Sequence, residues 1–85
     1  MSRVRGILRA RQYVMVEYDC PDALVEAACA ITPGIEGPTI APLSRAGWVA
    51  IKAMALRSNT NRIMDELETL GAKGILIMNI QACRI

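Results

Sequence analysis

The chain has no histidine and no Cys-x-x-Cys pair among its 85 residues. Without an imidazole, a zinc site would have to be assembled from scattered ligands, and a cysteine nucleophile would lack its usual base. The three cysteines, Cys20, Cys29 and Cys83, are odd in number and widely spaced. This pattern indicates reduced, packed thiols rather than a disulfide framework. The sequence therefore argues against a metal site and against cysteine-based catalysis.

Charged and aromatic residues are scarce, at 21% and 4% of the chain. Four arginines, Arg3, Arg5, Arg9 and Arg11, lie in the first eleven residues and could contact nucleic acid. However, there is no basic stripe elsewhere, and one tryptophan and two tyrosines offer little base stacking. We therefore predict no nucleic-acid partner. The alternative, an adaptor that uses the arginine arm, would show steeply salt-dependent binding.

Long hydrophobic runs are also missing. The longest one falls far short of the roughly 20 residues that a membrane span needs, and the N-terminus lacks the apolar region of a signal peptide. We therefore expect a soluble, cytoplasmic protein without a membrane partner. Yet 53% of the residues are hydrophobic, and a domain of this size buries only about 60% of the surface that its unfolded chain exposes. This excess predicts self-association.

Residue periodicity predicts a strand over 12–19 and then a helix up to Ile31, with Pro21 at the first helical position and Asp19 or Cys20 as cap. A short edge strand over 39–43 and a turn over 44–47 lead to a strand over 48–56. A second helix, capped by Ser58 or Asn59, ends at Gly71 and is followed by a strand over 74–80. Its predicted buried stripe is Ile63, Met64, Leu67 and Leu70.

The predicted order, βαββαβ, is typical of an α+β ferredoxin-like fold, in which a four-stranded antiparallel sheet carries two helices on one face. The strands 12–19, 48–56 and 74–80 have apolar residues on both sides. The helix-free face of the sheet is therefore predicted to be apolar as well. A second copy of the chain is the simplest cover for it.

Two prolines and two glycines lie within residues 32–39 and predict a stiff loop with exposed backbone. The loop is either a rigid crossover or a binding loop. Around it lies a small polar set, Asp19, Thr32, Glu36 and Thr39, which suits a small zwitterion, although Asp19 could instead serve as a helix cap. No nucleophile with a base or pair of convergent carboxylates can be assembled, so we predict that this chain alone is not an enzyme.

Several segments follow one family in order. They are Ala10-Arg11-Gln12-Tyr13, Tyr18-Asp19-Cys20-Pro21, the loop and edge strand from Ile31 to Leu43, Trp48-Val49-Ala50-Ile51, Ile63-Met64-Asp65-Glu66-Leu67, and Leu70 to Leu76. On these residues the chain resembles the C-terminal regulatory domain of long-form ATP phosphoribosyltransferase. The likeness runs from about residue 6 to Ile85.

The resemblance implies a PII-like domain, residues 11–85, that binds L-histidine and transmits feedback inhibition to the enzyme's catalytic domains. Residues 1–10 would be the end of the connection to those domains, which would need magnesium, whereas this domain would need no cofactor. A trimer or hexamer is implied, with the effector site where neighbouring domains meet. The alternative is a stand-alone ferredoxin-like sensor of another amino acid or small metabolite.

The same resemblance implies which residues form the effector site. Asp19 and Thr39 would make polar contacts to histidine. Ile35, Gly37, Met54 and Gly74 would line the pocket.

Overall fold

Four strands and two α-helices alternate as β1-α1-β2-β3-α2-β4 in the computed structural model, which describes residues 12–35 and 37–80. The elements are β1 Tyr13–Pro21, α1 Val25–Ile31, β2 Thr39–Pro42, β3 Trp48–Leu56, α2 Thr60–Leu70 and β4 Lys73–Asn79. This order confirms the predicted α+β ferredoxin-like fold. In the described part of the chain, no helix is long and apolar enough to cross a membrane.

The strands form one antiparallel sheet in the order β2-β3-β1-β4. β1 is central, and its residues alternate between buried and half-buried because successive side chains point to opposite sheet faces. Its buried residues, Val14, Val16, Tyr18 and Cys20, pack with a core cluster from both helices. The helical members of that cluster are Ala28, Ile63 and Leu67. Both helices therefore cover the same side of the sheet, as predicted.

We call the helix-free side of the sheet the open face. Its residues are Tyr13, Met15, Glu17 and Asp19 on β1, Thr39 and Ala41 on β2, Trp48, Ala50, Lys52, Met54 and Leu56 on β3, and Leu76 and Met78 on β4. Most are apolar, and Leu76 and Leu56 are 57% and 42% exposed. The prediction of an apolar helix-free face is therefore confirmed. A single copy of the chain leaves this surface to water.

The predicted start of the first helix was wrong. Pro21 is the last residue of β1, with extended backbone, and a 3-10 turn, Asp22–Leu24, separates it from α1. Asp19 and Cys20 are consequently strand residues and not caps. Asn59 is the N-cap residue of α2, as predicted, although its side chain makes no capping hydrogen bond and a second 3-10 turn, Arg57–Asn59, precedes the helix. Met64, predicted to be buried, lies on the exposed side of α2.

Other sequence signals hold. Gly71 ends α2 in the left-handed conformation, and its N–H donates to the carbonyls of Leu67 and Glu68. Within the described residues, Cys20 and Cys29 form no disulfide; Cys20 is buried and Cys29 is half-buried. Burial is the main reason why the pKa of the Cys20 thiol is raised. Cys83 and the arginines of residues 1–11 lie outside the described residues.

Candidate functional site

Asp19 is a half-buried strand residue on the open face. In the ladder it pairs with Ala50 on β3 and with Lys73 on β4. Because Ala50 is small, and its own partner on β2 is Ala41, little side-chain volume surrounds the carboxylate on that side. The fold therefore places an acidic side chain beside the small Ala50 and Ala41, which leave space on the sheet face for a ligand.

Gly74 lies next to Asp19, although the two residues are far apart in sequence. The register between β1 and β4 shifts between Glu17 and Asp19, and Gly74 has a φ of 60° within this irregular stretch. A positive φ favours glycine at such a bulge. A Cβ at Gly74 would lie 3.7 Å from Oδ2 of Asp19. The bulge thus brings the backbone of β4 against the carboxylate, and these two predicted site residues are neighbours.

Gly74→Ala is expected to lower the unfolding free energy by about 1–2 kcal/mol, because an L-residue is strained in the left-handed region. Steric overlap is not the cause, since the added methyl would be in ordinary contact with Asp19. Chemical denaturation measures the difference. Gly74→Asn is the control, because asparagine tolerates this conformation better and should lose less stability. Equal stability of Gly74→Ala and wild type would contradict the assigned role of the bulge.

Thr39 is the first residue of β2 and is exposed on the open face. It pairs with Lys52 of β3, which in turn pairs with Glu17 of β1. Thr39 therefore lies two strands from Asp19 and two positions along, or about 10 Å across the sheet and about 7 Å along it. The two side chains share a face, and the residues between them on β3 are the small Ala50 and the longer Lys52.

In the loop before β2, the backbone at Gly34 packs closely against the backbone at Gly37. A Cβ at Gly34, which has a φ of 72°, would lie 2.9 Å from the carbonyl oxygen of Gly37, so only glycine fits there. Gly37 has a φ of 136°, and no heavy atom of the described residues would lie within 4 Å of a Cβ added there, so its surroundings are open. The close backbone approach at Gly34 is thus made within the loop, while Gly37 is exposed. Glu36 lies outside the described residues.

Ile35 and Met54 line one cavity of about 280 Å³, together with Tyr13 and Leu56. The cavity lies along the end of β3, where β2 is too short to pair: the four residues of β2 reach only from Val49 to Lys52. Neither Asp19 nor Thr39 borders this cavity. In a single copy, the six predicted site residues therefore form two groups. Asp19, Gly74 and Thr39 lie toward one end of β3, and Ile35 and Met54 lie toward the other, with Gly37 in the loop between Ile35 and Thr39.

Thr32, which the sequence suggested as a ligand contact, belongs to the core. It is fully buried, and its Oγ1 lies 2.6 Å from the hydroxyl of Tyr18. Each of these hydroxyl oxygens lies 3.2 Å from the carbonyl oxygen of Ala28, so one hydroxyl donates to the other and the second donates to the carbonyl. Burial raises the pKa of Tyr18 and keeps its hydroxyl protonated. The network ties β1 to the end of α1 and to the start of the loop.

One pair of charges on the open face was not anticipated as a pair. Lys52 is the lone charge on β3, and its contact with Glu17, at 3.9 Å between Nζ and Oε1, depends on the register of β1 and β3. Tyr13 and Leu56 were likewise not placed beside Ile35, since only the pairing of strand ends brings them together. Within residues 12–35 and 37–80, no group of three or more potential metal ligands is found.

The chain matches the family described as "HisG, C-terminal domain" over residues 10–82. It is also similar to proteins named ATP phosphoribosyltransferase. It is 54% identical over 85 residues to that of Pseudarthrobacter chlorophenolicus, 52% over 84 residues to that of Salinibacter ruber, and 51% over 84 residues to that of Mycobacterium tuberculosis. These alignments cover 99–100% of the chain, which spans 30% of the length of each relative.

Proposed function

Because the chain belongs to the HisG C-terminal domain family, we propose that it is a regulatory domain that binds L-histidine and relays feedback inhibition to an ATP phosphoribosyltransferase. The observation that carries the proposal is the position of Asp19. Its carboxylate lies on the open face, which is mainly apolar, next to Gly74 and near Ala50 and Ala41. It caps no helix, so it is free for a ligand.

A free amino acid offers groups that complement these residues. Asp19 accepts hydrogen bonds from the ammonium or imidazolium group, and a hydrogen bond to a charged group is stronger than one between neutral groups. Thr39 contributes a hydroxyl that donates or accepts. Ile35 and Met54 provide an apolar wall against which a ring packs. The domain thereby supplies recognition, and the transfer reaction is assigned to the catalytic domains of the parent enzyme.

The distance between the two groups of site residues favours a site shared by two copies. Met54 lies four positions along β3 from the residue that pairs with Asp19, or about 14 Å along the strand. One amino acid does not reach both groups within a single copy. When open faces pack together, the Asp19 group of one copy can face the Ile35 and Met54 group of its neighbour. Ligand binding then stabilises the assembled form, which links effector binding to self-association.

L-Histidine is expected to raise the thermal midpoint of the chain, whereas other amino acids are not. At ten times the Kd, ligand binding adds about 1.4 kcal/mol to the unfolding free energy, or roughly 6–11 °C for a domain of this size. A thermal-shift assay with L-histidine and the other common amino acids measures this. A shift with a different amino acid, and none with L-histidine, would favour the stand-alone sensor of another metabolite. No shift with any of them would contradict effector binding by this chain.

A further inference from the structure

Two lysines lie near Asp19 on the sheet: Lys73 pairs with it from β4, and Lys52 lies on β3, on the side toward Thr39. Lys52 pairs with Thr39 on one side in the ladder. Asp19 is its diagonal neighbour on the other side, since Asp19 pairs with Ala50, two positions away on β3. Diagonal neighbours on one sheet face are within reach of a long side chain. A ligand that contacts Thr39 or Asp19 therefore lies beside Lys52, whether one copy or two supply those contacts.

The ammonium group of Lys52 is only loosely held in the absence of a ligand. Its contact with Glu17 is 3.9 Å long, and the two side chains are 50% and 34% exposed. Exposed ion pairs of this length contribute little to stability because water screens them. Lysine is also flexible, with a compact charge on a four-carbon stem. Lys52 can therefore replace its contact with Glu17 by a contact with a ligand carboxylate at little cost in free energy.

The charges of a free amino acid require a positively charged side chain in the site. A free α-amino acid carries an ammonium and a carboxylate, and the carboxylate of Asp19 can bind only the ammonium group. Thr39 offers a neutral hydrogen bond. Without a cation, the negatively charged end of the ligand would lie near Asp19 and Glu17, which both repel it. Lys52 stands between these acids and Thr39, where a positive group is needed.

We propose that Lys52 gives up its contact with Glu17 and binds the α-carboxylate of the effector. Lys52 thereby restricts the site to free amino acids and discriminates against amines that carry the same side chain but no carboxylate. This inference rests on the proposed function and adds a specificity-determining residue to it.

The test compares L-histidine with histamine, which keeps the imidazole and the amine but lacks the carboxylate. Calorimetric titration of the wild-type chain should show tighter binding of L-histidine. Lys52→Gln should weaken L-histidine binding about tenfold or more, as expected for loss of a charged hydrogen-bond partner, and should not weaken binding of histamine, whose positive charge Lys52 repels. Lys52→Arg should retain most of the preference for L-histidine, since it keeps the positive charge.

Lys73→Gln is the matched control. Lys73 pairs with Asp19 from β4, on the side of Asp19 away from Thr39, and the substitution removes the same charge. Because Lys73 lies beside Asp19 and Gly74 rather than beside Thr39, its loss should leave the preference for L-histidine over histamine within about twofold of the wild-type value. Equal loss of L-histidine and histamine in Lys52→Gln, or no loss of either, would overturn the role of Lys52 while leaving the histidine site intact. Failure of the wild-type chain to bind L-histidine would instead overturn the proposed function, and this inference with it.

Discussion

Asp19→Ala is expected to weaken L-histidine binding by about 1.5–3 kcal/mol, or roughly 10- to 150-fold in Kd, the range for a hydrogen bond to a charged group. The variant removes the carboxylate that faces the open space above Ala50. The fold should tolerate the change, because no hydrogen bond or ion pair within the described residues depends on this side chain in a cap or in the core. Calorimetric titration of both proteins measures the difference.

Two further variants separate charge from shape at this position. Asp19→Asn keeps the size of the side chain and one hydrogen-bond acceptor but removes the negative charge, so it should lose most of the same binding energy. Asp65→Ala removes an exposed acid from α2, on the opposite side of the sheet, and should bind as wild type does. Wild-type affinity in Asp19→Ala would remove Asp19 from the site.

Leu76→Lys is expected to abolish self-association through the open face. Leu76 is 57% exposed in one copy and lies on β4 opposite Glu17, so an assembled form would bury it. Loss of a buried leucine side chain removes about 1.5–3 kcal/mol, and an ammonium group in an apolar interface adds a further cost. Together these should weaken association at least about a hundredfold. Sedimentation velocity over a range of concentrations measures the oligomeric state.

Met64→Lys provides the matched control, since it also replaces an exposed apolar residue by lysine. Met64 is 36% exposed on α2, on the helical side of the sheet. Both variants should keep the unfolding midpoint of the monomer, because surface substitutions usually change stability by less than about 0.5 kcal/mol. Association lost in both variants, or in neither, would show that the open face is not the interface. L-Histidine binding should fall with association in Leu76→Lys if the site is shared between copies.

The sheet and helices could be predicted from the sequence because their signals are local. Strand β3 was predicted with its bounds, Trp48–Leu56, since apolar residues on both faces end at a turn and a polar segment. The start of α1 was predicted wrongly because a 3-10 turn, Asp22–Leu24, separates Pro21 from the helix. Pro21 fits the first position of a helix and the end of a strand equally well, because both positions tolerate its fixed φ near −65°. Local spacing does not distinguish these two uses.

The site could be predicted only in part, because its geometry depends on strand register. The resemblance supplied both Asp19 and Gly74, but the 3.7 Å approach between them arises from a bulge that no local pattern marks. Thr32 was wrong as a ligand contact, since a threonine before a proline gives no sign that a tyrosine hydroxyl from β1 will reach it. The division of the six residues into two groups likewise follows from the shortness of β2.

If the chain senses L-histidine as proposed, the hydrogen bond between Tyr18 and Thr32 bears on how its sensitivity evolves. Tyr18 immediately precedes Asp19 in the chain, and Thr32 begins the loop that carries Ile35 and Gly37. A substitution of the buried Tyr18 or Thr32 would therefore shift both Asp19 and the loop that carries Ile35 and Gly37, although neither buried residue contacts the ligand. Selection can retune sensitivity from inside the protein, and resistance to feedback need not map to the residues that contact the ligand.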